Sequence, residues 1–276
     1  MYSPTPADWR EANRRRWDER VPIHLTGDFY DIEGFVAGED SLRDFERAEV
    51  GDVTGRSLLH LQCHLGLDTL SWARRGASHV VGLDFSEPAV EAARDLAAEI
   101  GLGPDRATFV AADVYDAQDA VPDSSYDIVY TGVGALCWLP DIRRWAETAA
   151  ALVAPGGFLY LAEFHPLTDV LDDETGSRIV YDYFAQDAWV DETPGGYADA
   201  ETPTVHNRSV EWQHPIGAVV SALAAAGLRI EFLHERHTTL FQRFGALERR
   251  DGAYEFPADR PRIPLMYSLK ASKPAL

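Results

Sequence analysis

The stretch LLHLQCHLGLDTLSWARRGASHVVGLDFS, from Leu58 to Ser86, decides the fold. Its first residues form an apolar run that reads as a buried strand. A tight turn ends at Gly66, a helix follows, and a second apolar run, VVGL, closes on Asp84. Strand, turn, helix and strand in that order put a helix N-terminus and a carboxylate on one edge of a parallel sheet, where a nucleoside can be held by its ribose hydroxyls.

What the turn lacks narrows the nucleoside. A dinucleotide site needs G-x-G-x-x-G, so that backbone can approach a pyrophosphate and its charge can rest on the helix. Here the turn is Gln62-Cys63-His64-Leu65-Gly66, with one glycine and two bulky side chains where a pyrophosphate needs room. At these residues the chain resembles the class I S-adenosylmethionine-dependent methyltransferases, in particular a bacterial small-molecule branch whose first motif reads LQCHxGxDT. The resemblance runs from about Leu58 to Glu163 and fades on either side. It implies an α/β fold with a Rossmann-like, seven-stranded, mostly parallel sheet and an antiparallel last strand. It also implies the phosphate-free cofactor S-adenosyl-L-methionine and methyl transfer to an oxygen or nitrogen of a small metabolite.

The chain departs from the commoner family pattern in three places. His60 stands where an acid usually ends the first strand, and Gln62 and His64 replace the first two glycines of the loop. Either this is a variant site or the domain has lost its cofactor. Other readings are a nicotinamide oxidoreductase, a cofactor-binding module without catalysis, and a non-methylating use of the sulfonium.

At 276 residues the chain suits one large α/β unit with additions. The formal net charge of −20 repels a polyanion, so nucleic acid is a poor partner and a small-molecule substrate is expected. There is no basic-then-apolar N-terminus and no apolar run of about eighteen residues, so neither a secretory signal nor a membrane partner is expected and the cytoplasm is the default location. Two cysteines, Cys63 and Cys137, make no disulfide framework. With His64 they could supply three metal ligands, although two buried thiols beside a cofactor loop are the commoner case, and no metal is expected. Many proteins of this kind pair through their caps, so a homodimer is also compatible with the chain.

Alternating elements surround the motif. A helix is expected over Asp8–Arg20, with residues 1–50 forming an N-terminal lid and residues 51–276 the cofactor-binding domain. Strands are expected near Ser57–Leu61, His79–Asp84, Thr108–Ala111, Tyr126–Tyr130 and Phe158–Glu163, with helices over Ser86–Ile100 and Asp141–Leu152. Ser86 before Glu87 and Pro88 suits a helix start, and Pro155-Gly156-Gly157 reads as a turn into the fifth strand. The alternation stops over about 166–213, a segment rich in Tyr, Trp, Asp and Pro. Within it RIVYDYF and HNRSVEWQH each read as a strand of a small antiparallel cap. Helix and strand return at Ile216–Ala225 and Leu228–His234, and a last strand lies near Leu265–Ala271.

Candidate site residues follow from these placements and from the resemblance. Asp84, with Phe85 beside it, is positioned for the ribose hydroxyls, and His64 and Gly66 for the methionine end. The resemblance puts Asp113 at the adenine amino group with Ala112 and Val114 flanking the ring, and Thr131 and Gly132 beneath the sulfonium. Asp68 is read as a helix cap or a direct contact, and Tyr30 and Trp17 as closing over the cofactor from the lid. A base is needed only if the acceptor must lose a proton, and His165 and Glu163, after the fifth strand in AEFHP, are the candidates. Tyr181, Tyr183, Phe184, Trp189, Tyr197 and Trp212 suggest an aromatic or apolar acceptor, with Phe241 and Phe244 adding to the wall.

Overall fold

Apolar runs without alternation belong to strands covered on both faces, and the computed structural model, which describes residues 2–3, 5–199 and 201–275, builds its central sheet from them. Strands β1 (Ser57–Leu61), β2 (His79–Asp84), β3 (Ala107–Ala111), β4 (Tyr126–Thr131), β5 (Val153–Phe164), β6 (Arg229–Arg236) and β7 (Met266–Ser272) lie in the order β3-β2-β1-β4-β5-β7-β6. The first five are parallel, whereas β7 runs antiparallel to both β5 and β6. Leu58, Val80 and Ile128 enter one core and Leu59, Val81 and Val129 the other, so each face of the sheet takes alternate residues of the same strands.

Helices α1 (Trp9–Thr26), α2 (Ile32–Ala37), α3 (Asp44–Val50), α4 (Leu67–Arg74), α5 (Glu87–Glu99), α6 (Ile142–Leu152) and α7 (Ile216–Ala225) complete the layers. Ser86 caps α5 by accepting from the Ala89 N–H, with Pro88 in the first turn. Asp141 caps α6 through the N–H groups of Arg143 and Arg144. The strand order reverses between β1 and β4, so the crevice of the sheet opens at the C-terminal ends of those two strands.

Four expectations need correction. Helix α1 continues through Pro22 to Thr26 rather than ending at Arg20. Pro155-Gly156-Gly157 lies inside β5 as an irregularity, not a turn before it. Val153 already pairs with Tyr126, and a Cβ on Gly157 would come within 2.6 Å of the Asp127 carbonyl oxygen. RIVYDYF forms no strand and contributes only a single bridge, Leu171 to Ile179. Of HNRSVEWQH only Ser209–Glu211 is a strand, pairing with Ala188–Asp191, which in turn pairs with Tyr2–Ser3. A second small sheet, absent from the sequence reading, joins Thr238–Thr239, Ala253–Glu255 and Glu248–Arg250 between β6 and β7.

Helix α1 is tied to the inserted segment by Asn13, whose side chain donates to the Val210 carbonyl at 2.7 Å and accepts from the Val210 N–H at 2.8 Å. Trp9 meets Trp212 edge to face beside it. Among the described residues no helix is long and apolar enough to cross a membrane.

Candidate functional site

The loop after β1 keeps the backbone of a glycine-rich turn without the glycines. Gln62 and His64 both adopt left-handed angles, φ 60° and 49°, and Gly66 follows at 73°. A Cβ on Gly66 would lie 2.6 Å from the Phe109 ring and 2.9 Å from Ala93, so this glycine serves the packing of β3 and α5 as well as the turn. The loop is pinned to β2 by the Cys63 N–H on the Leu83 carbonyl and by the His64 N–H on an Asp84 carboxylate oxygen at 2.8 Å.

A cavity of about 300 Å³ opens over this loop, at the ends of β1, β2 and β4. Of the residues expected to hold a cofactor, it brings together Trp17, Tyr30, His64, Gly66, Asp84, Phe85, Asp113, Val114 and Gly132. Ala112 and Thr131 are not in its wall. Ala112 donates its N–H to the Asp84 carbonyl, and Thr131 is fully buried with its hydroxyl unpartnered among the described residues. Burial pushes the Asp84 carboxyl up to about 6, against the pull of the Ser86 and His64 N–H groups. Asp113 already pairs with Arg10 at 2.6 Å and accepts from the Tyr115 N–H. A Cβ on Gly132 would meet the Tyr130 hydroxyl at 2.9 Å, so this glycine of the cavity wall also makes room for Tyr130.

Elsewhere in the wall sequence reasoning named Asp68 as a helix cap or a direct contact but missed Ser41 and Arg43. Asp68 caps nothing; it accepts from the Ser41 hydroxyl at 2.6 Å and from Arg43 at 3.0 Å, and all three line the cavity. Arg43 also bonds Glu46, which accepts from the Tyr130 hydroxyl at 2.6 Å. Burial disfavours the Arg43 charge, but the Asp68 and Glu46 carboxylates more than offset it and hold the guanidinium firmly ionised. His60, in the place of the usual acid, is buried against the Tyr130 ring and bonds Thr69 at 2.8 Å. The signal for Arg43 was weak, because it lies in an aperiodic segment far from the motif.

Above the loop the rings converge. Trp17 meets His64 and Trp138 edge to face, both at 5.2 Å; Tyr30 lies 5.5 Å from His64 and its hydroxyl bonds that of Tyr197. His24 Nδ1 and His64 Nε2 are 2.8 Å apart. Burial lowers His24 to about 4 and His64 to about 3, so this imidazole pair is neutral near pH 7.

A second cavity of about 1260 Å³ adjoins the first. Trp17, Phe29, Tyr30, Val133, Trp138 and Tyr197 line both. Tyr181, Trp189, Trp212 and Phe241 face the larger one, but Tyr183, Phe184 and the fully buried Phe244 do not line it. Glu163 lines it too, yet its carboxylate accepts from the N–H groups of Gly134, Ala135, Leu136 and Phe164. It organises that turn and offers no free base. His165 lines neither cavity: Nδ1 accepts from the Leu167 N–H and Nε2 faces Glu235 at 3.0 Å, so a role as base has no support in this geometry. Among the described residues no group of three or more His, Cys, Asp or Glu is placed to hold a metal ion.

Comparison with known proteins fits this architecture. Residues 58–157 match the family model described as a methyltransferase domain. Over 112 residues the chain is 33% identical to the ribosomal protein L11 methyltransferase of Xanthomonas oryzae pv. oryzae (strain MAFF 311018), covering 41% of this chain and 32% of that protein. The chain thus spans about a third of the length of that curated relative. An S-adenosylmethionine dependent methyltransferase from Mesorhizobium loti superposes with a TM-score of 0.55 at 20% identity, covering 86% of this chain and 99% of that one. The [4+2]-cyclase SpnF superposes with a TM-score of 0.58 at 18% identity over the whole of both chains. The fold is the Rossmann-like fold of the class I methyltransferases, and at such identities the likeness speaks for the fold alone.

Proposed function

We propose that the chain binds S-adenosyl-L-methionine in the smaller cavity and transfers its methyl group to an oxygen or nitrogen of a small molecule held in the larger one. The observation that carries this reading is the aromatic partition shared by the two cavities, with Asp84 and the Arg43–Asp68 pair in the wall of the smaller. The chain's own groups suit each part of that molecule. Asp84 has lone pairs for the ribose hydroxyls, Arg43 a guanidinium for an α-carboxylate, and Asp68 a carboxylate for an α-amino group. Asp68 thereby stands in for the acid that His60 replaces. Asp113, with Val114 beside it, keeps free lone pairs for the adenine amino group.

The cofactor when bound supplies an electrophilic methyl group on a sulfonium. Trp17, Trp138, Tyr30 and Tyr197 surround that place with ring faces and edges, and the neutral His24–His64 pair adds no opposing positive charge. The protein's work is then alignment and exclusion of water, effects that can be worth roughly 7–11 kcal/mol. A net charge of −20 favours a small molecule over nucleic acid as acceptor.

The test is incubation with methyl-labelled cofactor and a small-metabolite extract, followed by mass spectrometry. A labelled product that disappears in Asp84→Ala supports the reading. Turnover of an added substrate without label transfer would support a non-methylating reaction on the same fold.

A further inference from the structure

Carboxylates around the larger cavity fall into two kinds. Of the six in its lining, Asp28 stands in solvent and three are satisfied: Glu163 takes four N–H groups, Asp199 accepts from the Glu201 and Thr202 N–H groups and the Thr202 hydroxyl, and Asp173 pairs with Arg243 at 2.6 Å. Asp169 and Glu211 are not. Asp169 accepts only a long bond, 3.4 Å, from the Thr168 hydroxyl, and Glu211 accepts only from the Ser209 hydroxyl at 2.8 Å. Neither forms an ion pair among the described residues, and both line the cavity. Asp169 is exposed at the cavity wall and Glu211 is half-buried, and Glu211 feels the charge of Asp169.

Arg243 and Arg16 lie near enough to act on Asp169 and Glu211 respectively, but the hydrogen bonds of the nearby arginines go to other groups. Arg243 is held by Asp173 and the Thr168 carbonyl, Arg43 by Asp68 and Glu46, and Arg16 by the Asn207 carbonyl. Arg249 lies on the exposed strand Glu248–Arg250 at the cavity's edge. Two like charges on one cavity wall, each only partly offset by an arginine, repel one another and are relieved when a cation joins them. The remaining wall includes Trp138, Tyr181, Trp189, Trp212 and Phe241, surfaces that favour an apolar body and attract a cation through their faces.

We propose that the molecule held in the larger cavity carries a protonated amine on an aromatic or apolar body, with Asp169 and Glu211 as the counter-charges. This rests on the reading of that cavity as the acceptor site. The acidic surface assists it, because a net charge of −20 steers cations inward. A neutral or anionic acceptor would leave that like-charge repulsion in place.

Calorimetric titration of the full chain with tryptamine and with tryptophol, which differ only in amine against hydroxyl, tests the assignment. The amine is expected to bind about tenfold tighter or better, the scale of one charge-assisted hydrogen bond. The double variant Asp169→Asn with Glu211→Gln, shown folded by its unchanged titration with S-adenosylhomocysteine, is expected to lose that preference. Equal affinity for the two probes, a preference that survives in the double variant, or no binding of tryptamine at millimolar concentration overturns the proposal. Amine preference in a wild-type protein that does not bind S-adenosylhomocysteine would instead remove the cofactor reading and leave the amine site standing.

Discussion

Gln62 and His64 hold left-handed backbone angles at a cost of roughly 1–3 kcal/mol each. Their side chains return part of it: Gln62 donates to the Ala135 carbonyl at 2.8 Å, and His64 bonds His24. His64→Gly therefore exchanges relieved strain for a lost hydrogen bond. Its unfolding free energy should stay within about 1 kcal/mol of wild type in urea titration, while affinity for S-adenosylhomocysteine falls severalfold as the aromatic cage opens. Gly66→Ala behaves differently, because strain and a 2.6 Å approach to Phe109 act together. It should destabilise by about 2 kcal/mol or more, and shortening the ring with Phe109→Leu should recover part of that loss in the same measurement. The sequence announced the exchanged glycines; it could not announce that the backbone kept its left-handed path.

Elements carry the next layer. The turn after β4, residues 134–136, is held by one carboxylate at the end of β5, so Glu163 links two neighbouring strands at the crevice. Glu163→Gln turns an amide donor toward N–H groups that need acceptors. A stability loss of about 1–3 kcal/mol by denaturant titration is expected, together with slower turnover, because the turn carries Gly134 and Trp138 packs onto it. The inner parallel strands of the central sheet were legible because they are apolar on both faces; β1 and β2 lie where the motif puts them. RIVYDYF was misread for the opposite reason. Its β-branched and aromatic residues resemble a strand, but Ile179 and Phe184 are 76% and 73% exposed and its pairing stops at the single bridge to Leu171. Arg43 escaped notice because tertiary folding, not spacing, brings the short helix after it to the motif.

At the scale of the molecule, the strand reversal between β1 and β4 gathers the buried carboxyls around one crevice, and their titration gives a global readout. Burial raises Asp84 from an ordinary 3.8 to about 6 and Glu163 from 4.5 to about 7. Acids raised in the folded state contribute stability that is full below their unfolded values and is lost as the pH rises through the folded ones. In the difference between wild type and the double variant Asp84→Asn with Glu163→Gln, measured by urea titration, these two acids should therefore contribute about 3 kcal/mol more at pH 5 than at pH 7, against the opposing loss from His24 and His64, whose lowered values cost stability as the pH falls. Saturating S-adenosylhomocysteine should reduce that gain, since ribose hydroxyls hold Asp84 ionised. The motif, the strand order and most of the cofactor cavity were readable from local pattern. The acceptor cavity was not, because its wall is assembled from the segment after β5, the strand Ser209–Glu211 and the small sheet before β7, none of which has a repeating pattern.

Calorimetric titration with S-adenosylhomocysteine at pH 7 and pH 5, on wild type and Asp84→Asn, tests the central claim most directly. Wild type should bind one equivalent at pH 7, weaken by up to about tenfold per pH unit below about 6 as the carboxylate is protonated, and release a proton on binding near that pH. Asp84→Asn should bind about tenfold more weakly at pH 7 and show little change with pH. Absence of heat in the wild type at millimolar ligand, or identical curves for the two proteins, would contradict a nucleoside held at the end of β2.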